Sequence, residues 1–339
     1  MPVIQSGNPW PGLSRTKDAF HPVTREKSDN SIREAAWVLA MLRRENAGRV
    51  TANRMRGLAR RAGHSLEMLA RMDRWELVRL AHGAEEDAVR IFLEVTPREL
   101  SRAERQLGLC QQMDCGFHLA DSASYPGVLT ERLGLQAPPI LFTIGDMSLL
   151  SMPAAAVVGA RRVSALGESI ARDAGRTIAA MGAVLVSGNA DGADYSAQLG
   201  AWGAGGKAVV ALPHGVGELR AQDYADQTLF ISEFSPLAPW ETHAAVTRNS
   251  AIAALSRLVC VIEPRSVHGA AETGRVALSH GSPVLVEPCP KSPARAEELT
   301  ALGATPLRPN GVFDAAVIKS AWKTAQTAPP PPAQGELFA

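Results

Sequence analysis

Between residues 155 and 290, short apolar runs recur about every 25 residues, and a stretch with helical periodicity follows most of them. The runs are AAVVG at 155–159, AVLVSG at 183–188, KAVVALP at 207–213, TLFISE at 228–233, RLVCVIE at 257–263 and SPVLVE at 282–287. They are rich in Val and bounded by Gly or Pro. Unbroken apolar runs of this length suit strands covered on both faces, as in a parallel sheet. The helical stretches fall at about 165–181, 193–204, 247–256 and 270–280. This alternation predicts an α/β fold with a doubly wound, mainly parallel sheet.

The pattern is different upstream. From Ser31 to about Leu109 apolar residues recur at helical spacing, as in Ala36, Trp37, Leu39, Ala40 and Leu42, with breaks at Gly48, Gly63 and Gly83. A small helical domain is expected over 31–110, serving either as packing or as a helix-hairpin-helix-like contact to DNA backbone. Residues 1–30 are polar and read as a flexible arm. The α/β unit is expected over 111–320. A Pro-rich tail, 321–339, carries TAPPPPAQ at 327–334 as an extended spacer and ends in Gln334-Gly335-Glu336-Leu337-Phe338.

Composition adds constraints. The 339 residues are 46% hydrophobic and carry a net charge of +1, so the chain is not a polycation. The charge is uneven, however. Arg43, Arg44, Arg49, Arg54, Arg56, Arg60 and Arg61 cluster, and no acid lies between Glu45 and Glu67. Such a run either faces an anionic partner or forms a solvated helical face. The four cysteines form no CxxC pair and have no His at ligand spacing, which points to a reducing compartment and no structural metal. With no run near the ~20 apolar residues of a membrane span, a cytoplasmic protein without a membrane partner is expected.

Ligands of open α/β sheets bind outside the carboxyl ends of the strands. After the first strand stands Gly159-Ala160-Arg161-Arg162-Val163-Ser164, where Ser164 is a plausible N-cap. The free N–H groups of that helix start, with Arg161 and Arg162 beside them, would suit phosphate. The pattern is not GxGxxG, and no acid ends the second strand, so a dinucleotide cofactor is disfavoured. The second strand ends in Ser187-Gly188-Asn189-Ala190-Asp191-Gly192-Ala193-Asp194. Asp191 and Asp194 are either a catalytic pair or, by the favoured reading, helix-start partners. Lys207 opens the third strand as a further phosphate candidate. Arg248 and Asn249 open a helix, where a cation opposes the helix dipole as an anion-binding arginine would. The loop Arg265-Ser266-Val267-His268-Gly269 leads into another helix. No nucleophile elbow, HExxH or Walker loop is present, so no catalytic residue, cofactor or metal is assigned.

Taken in order, Tyr125-Pro126-x-x-Leu129, APPILFxxG at 137–145, VVGARRVS, LVSGNADGAD, GGKAVVALPHG, ISEF, RNSAIAALS and LVCVIEPRSVHGAAETGRVAL resemble the DprA (Smf) family over about residues 112–290. The resemblance implies a Rossmann-like fold, cooperative binding of single-stranded DNA, delivery of that DNA to the RecA recombinase in natural transformation, dimerisation through the sheet domain, and no catalytic turnover. It carries Arg161, Ser187, Gly188, Lys207, Arg248, Asn249 and Gly269 over as DNA-phosphate contacts. The sequence departs from the family at Gln198 (usually His), Leu219-Arg220-Ala221 (usually near a Tyr-Pro pair), Val267-His268-Gly269 (usually Ser-Gly-Ser) and Glu287-Pro288 (usually Pro-Gly). The family's C-terminal winged-helix domain is not expected here. These departures bear on the transformation role more than on the fold. Gln334, Leu337 and Phe338 resemble a sliding-clamp-binding pentapeptide, with two apolar side chains for a pocket and an amide for its rim. Two other functions remain open: a phosphoribohydrolase-like nucleotide enzyme using Glu272, and a nucleotide-sensing module of an anti-phage defence system.

Overall fold

The computed structural model describes residues 25–44, 47–219 and 227–327. Six helices come first: α1 (Arg25–Leu42), α2 (Arg49–Arg61), α3 (Leu66–Ala70), α4 (Arg74–Leu80), α5 (Glu85–Leu93) and α6 (Pro97–Gln112). Local chemistry sets several starts. Asp73 and Glu76 form a capping box on α4, and Thr96 and Glu99 form another on α6, with Pro97 in its first turn. The first helix begins at Arg25, ahead of the expected boundary at residue 30; residues 1–24 of the proposed arm lie outside the described residues.

Strands β1 (Gly116–Leu119) and β2 (Ile140–Ile144) flank α7 (Gly127–Leu133). The alternating unit follows: β3 (Ala154–Gly159), α8 (Ala165–Ala180), β4 (Val184–Ser187), α9 (Ala193–Gly203), β5 (Ala208–Ala211), β6 (Thr228–Ser232), α10 (Thr242–Thr247), α11 (Asn249–Leu255), β7 (Leu258–Ile262), α12 (Ala270–Ser279), β8 (Val284–Glu287), α13 (Ala294–Ala301), β9 (Thr305–Pro306) and α14 (Ala315–Thr327). The nine strands form one sheet in the order β1-β2-β6-β5-β4-β3-β7-β8-β9. All pairs from β6 to β9 are parallel; β1 and β2 add an antiparallel edge. The expected α/β, Rossmann-like, mainly parallel sheet with an N-terminal helical region is therefore present.

Strand periodicity divides the core in two. Ala155, Val157, Leu185, Val210, Phe230 and Cys260 face one layer, which includes α8, α9, α14 and the N-terminal helices. Ala156, Val158, Val186, Val209, Ile231 and Val261 face the other, built from α7, α11, α12 and α13. Burial on both faces is why the central runs read as unbroken Val rather than as alternation. The N-terminal helices share one continuous cluster with the sheet, from Val38, Met55 and Leu107 to Phe142 and Phe230.

Four arginines of the run are held in ion pairs, two of which reach beyond the N-terminal helices. Arg49 makes a two-pronged pair with Glu233, at 2.5 and 2.6 Å, and donates to the Gln136 and Thr247 carbonyls. Arg56 bridges Glu34 and Asp121, Arg44 pairs with Glu94 and Glu99, and Arg61 pairs with Glu85. These side chains are neither a bare solvated face nor an open anion site. The reading of the cysteines also changes: Cys110 and Cys115, at the end of α6 and just before β1, form a disulfide, leaving Cys260 and Cys289 as buried thiols. Cysteine usage therefore no longer argues for a reducing compartment. Among the described residues, no helix is long and apolar enough to cross a membrane.

Candidate nucleic-acid interface

The parallel strand order runs one way from β3 through β4 and β5 to β6, and the other way from β3 to β7 and β8. The reversal falls between β3 and β7, whose carboxyl ends pair at Gly159 and Ile262. The loops leaving those two strands must diverge, which opens a crevice at that point. A cleft of about 380 Å³ lies there, lined by Gly159–Arg162, Ala190, Asp194, Arg248, Asn249, Pro264–Ser266, His268–Ala270 and Thr273, with part of α10. Its charged side chains are Arg161, Arg162, Arg248 and Arg265 against Asp194.

The floor is a buried charge pair built around a glycine. The Asp194 carboxylate accepts from the backbone N–H of Gly159 (3.1 Å) and of Gly188 (2.8 Å), tying the ends of β3 and β4 together. A Cβ on Gly188 would overlap the Arg248 guanidinium, so glycine is required for Arg248 to approach Asp194. Burial pushes the Asp194 carboxyl up to about 6, against the pull of Arg248 and of the backbone N–H groups of Gly188, Gly159 and Ala190. Burial also pulls Arg248 down to about 10, offset by the Asp194 charge, so Arg248 stays protonated at neutral pH. Its Nε is a buried donor with no acceptor among the described residues, and the buried Thr273 hydroxyl beside the cleft is also unmet.

The structure brings some expected residues together and separates others. Arg161 and Arg162 are exposed at the mouth. Gly188 and Arg248 form the floor. Asn249 lies beside them, its amide 3.4 Å from the Gly269 carbonyl. Arg248 does not open a free helix start: it sits in helical conformation between α10 and α11. Gly269 is the N-cap of α12 and brings no side chain to the start of that helix, where Gly269, Ala270 and Thr273 line the cleft.

Ser164, Ser187 and Lys207 do not fit the expected phosphate site. Ser164 does cap α8, accepting from Gly167 N–H, but its own N–H and hydroxyl donate to the Glu263 carboxylate. Glu263 is 1% exposed and has a φ of 47°, so an internal acid already fills the anion position at the start of α8. Ser187 is fully buried, and its oxygen accepts from the Gln198 amide at 2.5 Å. Lys207 precedes β5 and lies at the amino edge of the sheet, opposite the cleft, near Asp146, whose carboxyl is lowered mainly by hydrogen bonds from Ser148 and secondarily by the Lys207 charge. The less favoured alternative of a catalytic acidic pair loses support: Asp194, in the first turn of α9 as the favoured reading has it, is a buried loop fastener, and Asp191 is exposed outside the cleft lining. Glu272 is paired with Arg275 and does not line the cleft, which removes support from the hydrolase reading. Gln334, Leu337 and Phe338 lie outside the described residues.

Two participants were not among the expected contacts. Arg265 reaches the cleft while holding Glu263 at 3.2 Å. Trp240 stands under the Arg161 guanidinium, 4.9 Å from its carbon to the ring centroid. A signal for Trp240 was present: an aromatic in a Pro-rich loop shortly before Arg248.

Comparison with known proteins gives the family and the fold. The model of the family described as DNA recombination-mediator protein A matches residues 117–318. Protein Smf of Escherichia coli (strain K12) is 30% identical over 238 residues, covering 63% of each chain. DNA processing protein DprA of Streptococcus pneumoniae is 34% identical over 182 residues, covering 51% of this chain and 62% of the relative. These matches span less than two thirds of each relative's length. The X-ray structure of the Streptococcus pneumoniae protein superposes with a TM-score of 0.57 at 23% identity, covering 79% of this chain and 97% of that one. The structure of DNA processing protein A from Helicobacter pylori, described for its single-stranded DNA binding mode, superposes at 0.51 and 21% identity, covering 62% and 96%. At these identities the superpositions establish the fold.

Proposed function

The chain belongs to the DNA recombination-mediator protein A family, and we propose that it binds single-stranded DNA by holding backbone phosphates in the cleft between β3 and β7. The carrying observation is the charge arrangement: four arginines face one carboxylate that is already satisfied by backbone donors. Arg161 and Arg162 take phosphate at the mouth, Arg248 supplies charge from the floor, and the start of α12 offers N–H groups. Backbone contacts of this kind give affinity without reading sequence. In this reading the protein acts by binding, in the cytoplasm, and hands DNA to a RecA-type recombinase as a homodimer. Gln334, Leu337 and Phe338 supply a tether to the sliding clamp.

Binding of labelled single- and double-stranded oligonucleotides tests this reading. The full chain should prefer the single strand, and Arg161→Ala and Arg162→Ala should each weaken it by a factor of about 5–10 with a shallower salt dependence. Lys207→Ala should leave binding unchanged. A protein for which Lys207→Ala weakens binding and Arg161→Ala does not would have its site at the other edge of the sheet. Loss of clamp capture after deletion of Gln334–Phe338 tests the tail; equal capture without it removes that role.

A further inference from the structure

The loop after β6 carries Pro236, Leu237, Ala238, Pro239 and Trp240 into α10. Its path is fixed by two backbone hydrogen bonds of 2.8 Å, from Gly215 N–H to the Ala238 carbonyl and from Gly217 N–H to the Pro236 carbonyl. Two prolines further restrict it. This anchored loop ends at Trp240, which has 47% of its surface exposed. The residue is covered on one side by Arg161, which is itself a cleft-lining cation. A large aromatic surface is therefore fixed in place, left open, and set beside a phosphate-binding arginine. Core packing does not account for that exposure.

We propose that Trp240, steadied by Arg161, is a stacking platform for one unpaired nucleobase, so that the cleft takes a base together with its neighbouring phosphate. This rests on the single-stranded DNA reading above and adds a second component to it. Tryptophan presents the widest face for base stacking, and stacking tolerates every base because each has a π-face. A cation on the ring is compatible with this, since the guanidinium attracts both the ring quadrupole and the phosphate. In a duplex the faces of each base are covered by its neighbours, so the platform can engage only an unpaired, splayed base. The preference for single strands then comes from Trp240, and the salt dependence from the arginines.

The test uses the full chain and two labelled oligomers of equal length, oligo(dT) and an abasic deoxyribose-phosphate chain. The wild type should bind oligo(dT) more tightly than the abasic chain by about tenfold, the usual scale of one stacked base. Trp240→Ala should abolish that difference while leaving abasic binding and the salt slope unchanged, and Trp240→Phe should keep most of it. A Trp240→Ala protein with wild-type discrimination overturns the proposal. So does one that loses affinity for both oligomers equally with a shallower salt slope, because Trp240 would then act only by placing Arg161. A wild type that binds neither oligomer overturns the nucleic-acid reading itself.

Discussion

At the scale of single residues, the cleft is governed by which polar groups the protein has already satisfied. Ser164 and Ser187 look available in the sequence, yet Glu263 and Gln198 claim them across 99 and 11 residues. Separations of that kind are not legible in a linear pattern, whereas Arg161 and Gly188 are, because their roles follow from the ends of their own strands. Two predictions follow from these partners. Glu263→Ala should destabilise the fold by about 1.5–3 kcal/mol, since it strips Ser164 of a charged acceptor, and chemical denaturation measures it; a change below about 0.5 kcal/mol would mean the contact is idle. Asp194 gives a pH signature. Its carboxyl is raised when folded to about 6, so between pH 4 and 6 the folded state keeps a proton that the unfolded state has lost. This group therefore lowers stability as pH rises through that window, and its contribution is constant above it. The stability difference between Asp194→Asn and wild type should shift in the variant's favour from pH 4 to 6 and then level off. Parallel pH profiles would contradict the burial of that charge.

The elements show a similar division. The six central strands are legible because burial on both faces gives continuous Val runs, and the helices from α8 to α12 fall within a few residues of their expected bounds, apart from the break at Arg248. The antiparallel addition of β1 and β2 is less legible: β1 is only Gly116–Leu119, and its pairing with β2 spans an intervening helix. Lys207 shows that strand direction matters as much as strand identity. In a parallel sheet, residues that open a strand lie at the opposite edge from residues that close one, whatever their charge. The arginine run is informative in another way. Arg49 at the start of α2 is 10% exposed and Glu233, after β6, is 7% exposed, so this pair joins the helical region to the sheet. Removing one member of a buried pair strands the other charge, and Arg49→Ala should cost about 3–5 kcal/mol. A fall in the denaturation midpoint at unchanged slope would show it, and a loss under about 1 kcal/mol would mean that the join rests on apolar packing instead.

For the whole molecule, a net charge of +1 means that any attraction for nucleic acid is local rather than global. The three arginines assigned to phosphate, at roughly 0.7 counterions per phosphate, predict a salt slope of about −2 for single strands. A much steeper slope would require a longer basic track than the cleft provides. The account places that local field at the reversal between β3 and β7, with the edge near Lys207 taking no part. The most direct measurement is a structure of the full chain bound to an oligo(dT) strand. Backbone phosphates should lie about 3 Å from the Arg161 guanidinium and from the first N–H groups of α12, with the α8 start still filled by Glu263. A strand lying along the Lys207 edge, or across the N-terminal helices with the cleft empty, would contradict the account.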